Sequence, residues 1–214
     1  MSEKEKKKKK EEPVEKEKKP VNRRTKKSKE PDKIEFPEVF VVVGADLSLR
    51  RPGYGVLLVN NGKIIDVFTE SIDNKTAKKC RGEILAEILA RFPVIRNGVP
   101  AFYVREHAFN GRGAMSEIGI FEVVGVSDMA LWFTCKKEWT EIYPVTVKKL
   151  LTGSGQATKE EVAASLDKYL GKREYANDDE SDAAAVAVAF LIQNGVIKPK
   201  GDESDGQTEN QMEK

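Results

Sequence analysis

The chain has 214 residues, of which 34% are charged and 39% hydrophobic, with a formal net charge of +2. That is enough for one well-buried domain of ordinary size with about fifty residues left as tails, and too little for two. Cys80 and Cys135 lie far apart without a CxxC or Cys/His companion, which excludes a zinc module by spacing, argues against a disulfide framework and implies a reducing compartment.

The small net charge hides an uneven distribution. Residues 1 to 37 hold fifteen Lys or Arg against nine Asp or Glu, whereas residues 201 to 214 hold five acids and one lysine. The opening MSEKEKKKKKEEPVEKEKKPVNRRTKKSKE has no aromatics and almost no apolar residues, so it cannot build a core. The expected organisation is a disordered basic tail over residues 1 to 37, a folded domain over 38 to 198, and a disordered acidic tail over 199 to 214. The basic tail has two readings of equal weight. It is a salt-sensitive nucleic-acid arm or a nuclear address in a eukaryotic host, or it is a solvated charge tail, because its lysines are interleaved with glutamates. No apolar run approaches the ~18 consecutive residues of a membrane span, and the N-terminus opens on lysines rather than an apolar signal core. A soluble, intracellular protein with no membrane partner is expected.

Along the body, VFVVVGA over residues 39 to 45 is an unbroken β-branched run of the kind a strand buried on both faces requires. YGVLLVN (54 to 60), Asn61-Gly62 and KIIDVF (63 to 68) read as a hairpin, since Asn-Gly supplies the positive φ angles of a two-residue turn. The first three strands are therefore antiparallel. EILAEILARF (83 to 92) has helical spacing, and AFYV after Pro100 reads as a fourth strand ending at Glu106. Residues 114 to 133 form a long helix that is apolar almost all round, which predicts cover by the sheet on one side and another chain on the other, hence a homodimer. EIYPV (141 to 145) gives a short fifth strand and VTVKKLL a short helix. Thr158 with Glu161 forms a capping box opening a helix to about residue 170. NDDESDAAAVAVAFLIQ begins with acids suited to a helix N-terminus and continues with small residues that pack closely on a sheet. The fold class is mixed α/β.

Four acids arrive from three places: Asp46 after VVVGA, Glu106 after FYVR, and Asp179 with Asp182 in the last helix. If the first and fourth strands are neighbours, strand spacing of about 4.8 Å puts Asp46 beside Glu106. Asp179 and Asp182, at i and i+3, share one helix face. Each alone reads as a solvent-facing strand-end acid or as a complement to the helix dipole, the role that suits Asp178 and Glu180. Together they would repel unless divalent cations compensate, and an oxygen-only set selects Mg²⁺ or Mn²⁺. Two such ions would hydrolyse a phosphodiester.

The body resembles a RuvC-type Holliday-junction resolvase of the RNase H-like fold. GADLSLRRPGYGVLLV is similar to the family's first-strand motif, with Arg50, Gly53, Tyr54 and Gly55 at its offsets; FYVREHAF is similar to the strand carrying the catalytic Glu, and DESDAAAVAVA to the final paired-aspartate motif. VKKLLTGSGQATKEEV is similar to a region presenting lysines to DNA phosphates, with Lys148 and Lys159 at the family's two positions and Gly153 and Gly155 allowing close backbone approach. The resemblance covers most of residues 39 to 193. It implies metal ligation and catalysis by Asp46, Glu106, Asp179 and Asp182, stacking of Phe109 on unpaired bases, and DNA contacts by Arg50, Lys148 and Lys159; Arg112, between Gly111 and Gly113, reads equally as a phosphate contact or a solvated arginine. His107, the only histidine, is turned by strand alternation away from the face of Glu106 and is expected to be structural. Trp132 and Trp139 are expected in the core or a dimer interface.

Two departures stand out. Leu47 and Ser48 replace the family's usual Pro and Gly after the first aspartate, which alters the following turn but not the metal site. The long basic tail is absent from the compact bacterial enzymes and points to a phage or other viral member. The expectation is a homodimeric, Mg²⁺-dependent endonuclease that resolves four-way junctions by paired symmetric nicks, leaving 5′-phosphate and 3′-hydroxyl ends. It would act in the cytoplasm of a bacterial or phage-infected cell, or the nucleus of a eukaryotic host, with a branch-migration or DNA-packaging partner. The alternatives are a broader RNase H-like nuclease acting on forks, flaps or hybrids, and a non-catalytic junction-binding protein.

Overall fold

The computed structural model describes residues 34–75, 78–95, 98–108 and 114–199, of which residues 114–117 are described by backbone alone. Strands β1 (Val39–Asp46), β2 (Gly53–Asn60), β3 (Lys63–Ser71), β4 (Ala101–Glu106) and β5 (Thr140–Ile142) form one sheet in the order β3-β2-β1-β4-β5. β1, β2 and β3 pair antiparallel, and β4 and β5 continue the sheet parallel to β1. The helices are α1 (Arg81–Ala90), α2 (Ala114–Cys135), α3 (Pro144–Thr152), α4 (Lys159–Leu170) and α5 (Asp178–Gln193). The β2–β3 turn has positive φ at Asn61 (48°) and Gly62 (72°), as the Asn-Gly pair predicts.

Of the boundaries that differ from the sequence reading, two have a clear physical reason. β5 ends at Ile142 because Pro144 occupies the first turn of α3, where its fixed φ and missing N–H suit a helix start and not a strand. Phe36, assigned above to the N-terminal tail, packs against Phe40, Phe102 and Phe190, so the folded unit reaches back to Ile34 rather than starting at residue 38. A single aromatic among charges carries no periodic signal, which is why the pattern missed it.

Alternation along β1 divides the core. Phe40 and Val42, with Leu57 and Val59 of β2 and Val104 of β4, face α3, α4 and α5. Val41, Val43 and Ala45, with Tyr54 and Tyr103, face Ile88 of α1 and Val123, Ala130 and Leu131 of α2. β1 is thus covered on both sides, which is what its unbroken apolar run requires.

α5 lies almost in contact with the sheet backbone. A Cβ on Gly44 would stand 2.2 Å from the Ala183 carbonyl oxygen, and one on Gly53 would stand 2.0 Å from that of Asp179. Glu180, read above as a complement to the helix dipole, is buried: its carboxylate accepts hydrogen bonds from Ser71 (2.9 Å) and Thr69 (3.0 Å) of β3. It ties the N-terminus of α5 to the sheet edge, a buried charge repaid by hydroxyl donors.

α2 buries Val123, Ser127, Ala130 and Leu131 and exposes Ile118, Phe121, Met129, Trp132 and Phe133. The exposed stripe is the side that the sequence reading assigned to another chain. Averaged over a window, Ile118–Cys135 matches a membrane span in length and composition, with a mean hydropathy of 1.5, a feature that counting uninterrupted apolar runs passes over. Glu122 and Asp128 tie this helix to the domain through Arg81 and Arg105.

Gly44→Ala should push α5 off β1 and destabilise the fold by about 1–3 kcal/mol or more. Gly125→Ala, whose added methyl meets nothing within 4 Å, should gain about 0.5–1 kcal/mol by helix propensity. Urea unfolding of the two variants checks both signs.

Candidate active site

The parallel register pairs Ala45 of β1 with Arg105 of β4, so Asp46 and Glu106 follow at the same level where both strands end. Alternation from Val42 and Val104 turns both acids to the α5 face. There the first turn of α5, capped by the Asn177 side chain on the Glu180 N–H (3.3 Å), carries Asp179, with Asp182 one turn on. The four carboxylates share one neighbourhood. Burial, then Glu106, Asp182 and Asp179, against the opposing pull of Lys159, push the Asp46 carboxyl up to about 7.

Two cations of the chain stand among these acids. Lys159 Nζ lies 2.8 Å from Asp182 Oδ2, and this contact raises the lysine's pKa above its ordinary value. Lys159 is placed there by the cap of α4, where Thr158 Oγ1 accepts from the Glu161 N–H (3.2 Å) and Glu161 accepts from the Thr158 N–H (2.8 Å). Arg51 Nη1 lies 3.5 Å from Asp179 Oδ2. The sequence reading singled out Arg50 and missed Arg51. Arg50 is exposed, its carbonyl accepting from the Asn74 N–H (2.9 Å). The turn decides between them: Ser48 Oγ accepts the Arg51 N–H (2.9 Å), while Leu47 and Leu49 pack on the α1–α2 side. The residues that depart from the family's usual Pro and Gly thus direct the loop, and no spacing rule shows that Arg51 meets a helix 128 residues later.

Lys148 is half-buried on α3. Phe109 and Arg112 lie outside the described residues. His107 is directed to the other side of the sheet, its Nδ1 2.7 Å from Glu141 Oε2. Trp139 packs with Phe92 and Tyr103 under the Arg105 guanidinium, as expected of a core residue, while Trp132 is exposed.

Among the described residues, no three acidic, histidine or cysteine side chains already form a finished metal-ligand set. The donor chemistry nonetheless fits a hard cation. All four groups are carboxylates, and the burial and mutual repulsion that push Asp46 up to about 7 are what a divalent ion would offset.

A family model described as crossover junction endodeoxyribonuclease RuvC matches residues 42–190, a stretch that holds all four acids. The chain belongs to the RuvC family. Among its relatives, the crossover junction endodeoxyribonuclease RuvC of Prochlorococcus marinus is 31% identical over 156 residues, covering 72% of this chain and 99% of that protein. The RuvC of Carboxydothermus hydrogenoformans is 31% identical over 159 residues, covering 73% and 99%. In three dimensions the chain is similar to Thermus thermophilus RuvC, with a TM-score of 0.58 at 22% identity, covering 73% of this chain and 96% of that one. It is also similar to T. thermophilus RuvC in complex with Holliday junction substrate, with a TM-score of 0.56 at 27% identity, covering 75% and 99%. The fold is therefore RNase H-like, as the RuvC resemblance implied, and the RuvC family is one of metal-dependent nucleases.

The raised Asp46 group has a defined consequence for metal-free protein. Its folded pKa, about 7, lies above the ordinary value of 3.8, so its contribution to stability is full below pH ~4 and is lost as pH rises through ~7. In chelator, Asp46→Asn should therefore gain in melting temperature relative to wild type on going from pH 5 to pH 8. Parallel pH profiles for the two proteins would show that burial and the neighbouring acids do not raise Asp46 as described.

Proposed function

We propose that the chain is a Mg²⁺-dependent endonuclease that resolves four-way DNA junctions by paired symmetric nicks. The observation that carries this reading is the convergence of Asp46, Glu106, Asp179 and Asp182, expressed in the raised pKa of Asp46, within a chain of the RuvC family. A relative in that family has a structure in complex with Holliday junction substrate, which favours the same substrate here. A protein that only bound DNA would gain nothing from four clustered negative charges facing phosphates.

The four carboxylates would hold the cation, with Mn²⁺ able to substitute and two ions the count that suits four acids. Bound there, divalent metal supplies an activated water and neutralises charge on the phosphate oxygens. The chain's own residues do the rest. Glu106 and Asp46, fixed at neighbouring strand ends, define one side of the site; Asp179 and Asp182, presented by a helix that cannot shift without striking the sheet, define the other. Lys159 and Arg51, now paired with Asp182 and Asp179, are cations that an incoming phosphate can recruit. Attack in line would leave a 5′-phosphate and a 3′-hydroxyl.

The exposed stripe on α2 fits a homodimer, in which two sites related by a two-fold axis match the symmetry of a four-way junction. Phe109, Arg112, Arg50 and Lys148 are proposed as further DNA contacts. The basic tail would add salt-sensitive phosphate contacts. A phage or other viral lineage, and a branch-migration or packaging partner, are proposed on that tail alone.

Cleavage of a synthetic immobile four-way junction in Mg²⁺, against duplex, fork and RNA–DNA hybrid, tests the reading. Paired symmetric nicks confined to the junction are expected, with Asp46→Asn slower by about a hundredfold or more. Better cutting of forks or hybrids would make the protein a general nuclease. Binding without cutting would make it a scaffold.

A further inference from the structure

His107 follows Glu106 directly, yet it plays no part in the carboxylate cluster. A relay of contacts reaches it from inside the domain. Arg105, buried beneath it on β4, donates to Asp128 (2.6 Å) and Ser127 (3.1 Å) of α2 and, through Nη2 and Nε, to Glu141 Oε1 (2.7 and 3.0 Å). The other oxygen of Glu141 holds His107 Nδ1 at 2.7 Å, and the His107 N–H donates to the Ile142 carbonyl at 2.9 Å. On this fixed imidazole lies the ring of Tyr143, its centroid 4.3 Å away at an interplanar angle of 42°.

Tyr143 is 56% exposed, so burial of its ring does not account for it. Its backbone is immobilised as well: its carbonyl accepts from Thr146 (2.8 Å) and Val147 (3.0 Å) at the start of α3. An aromatic held in place from below and left open above binds a flat partner with little ordering cost. Val145, two residues on, is likewise exposed. The parallel register pairs Glu106 of β4 with Ile142 of β5, so His107 and Tyr143 follow side by side just past the strand end that carries Glu106, on the opposite face of the sheet from its carboxylate.

We infer that Tyr143, backed by His107, is a base-stacking platform at the carboxyl end of the sheet, next to the active site and across the strand ends from it, receiving an unpaired base of the branched substrate. The inference rests on the nuclease reading above, and it names a contact separate from that of Phe109. Stacking on an aromatic contributes about tenfold or more in affinity per base and tolerates any base, since each has a π-face.

The test is binding of an immobile four-way junction and of duplex, in an Asp46→Asn background so that no cutting intervenes, with 2-aminopurine at the branch point as a second readout. Tyr143→Ala should lower junction affinity by about tenfold, leave duplex affinity unchanged and abolish the protein-dependent quenching of the branch-point base. Tyr143→Phe should retain both affinity and quenching, and the melting temperatures of the two variants should match the background. Wild-type affinity in Tyr143→Ala, an equal loss on duplex and junction, or a Tyr143→Phe as weak as Tyr143→Ala would each overturn the platform while leaving the nuclease reading intact. If the Asp46→Asn protein itself shows no preference for the junction over duplex, both readings fail together.

Discussion

The close approach of α5 to β1 and β2 is the contact on which the rest of this molecule depends. Helix and sheet meet without side chains between them at Gly44 and Gly53, and Gly55 opens the same seam, where an added Cβ would lie 2.7 Å from Ala184 Cα. Alanines on the helix side, Ala183, Ala184 and Ala187, complete the fit and are fully buried. A packing this tight admits one register and little sliding. Its consequence is functional: the first turn of α5 is delivered to the carboxyl ends of β1 and β4, and acids separated by more than 130 residues become neighbours. Glu180, bonded to Thr69 and Ser71, pins that turn at the opposite sheet edge.

The electrostatics follow from this geometry. A carboxyl pushed to about 7 is a stability cost that the fold carries for the sake of a site, and such costs concentrate where chemistry is done. Lys159 and Arg51 offset part of the repulsion through Asp182 and Asp179. Both cations enter on elements whose conformation is set locally, one by a helix cap and one by a serine-bonded turn. The same acids would meet the cation, and the same basic groups the phosphate, so the charge arrangement suits the substrate that the RuvC family implies.

Much of this was legible in the sequence because the signals were local. An uninterrupted β-branched run, an Asn-Gly turn, a capping box and an alanine-rich helix opening with acids each dictate their own conformation, and the strand-end positions of Asp46 and Glu106 followed once β1 and β4 were taken as neighbours. What escaped was pairwise and distant. Arg51 and Arg50 are indistinguishable until the turn built on Ser48 separates them. Glu180 looks like any acid at a helix start until β3 supplies two hydroxyls. Phe36 has no periodicity to reveal it, and the relay from Arg105 to Tyr143 passes through β4, β5 and the residue that follows each. Phe109, whose role rests on the family resemblance, and Arg112 lie outside the described residues.

The most direct measurement of the central claim, that these four acids form one cation site, is an anomalous difference map from a crystal of the protein soaked in Mn²⁺. The account predicts manganese density bordered by Asp46, Glu106, Asp179 and Asp182, with Lys159 displaced from Asp182. Density elsewhere, or none among these carboxylates at saturating Mn²⁺, would contradict it.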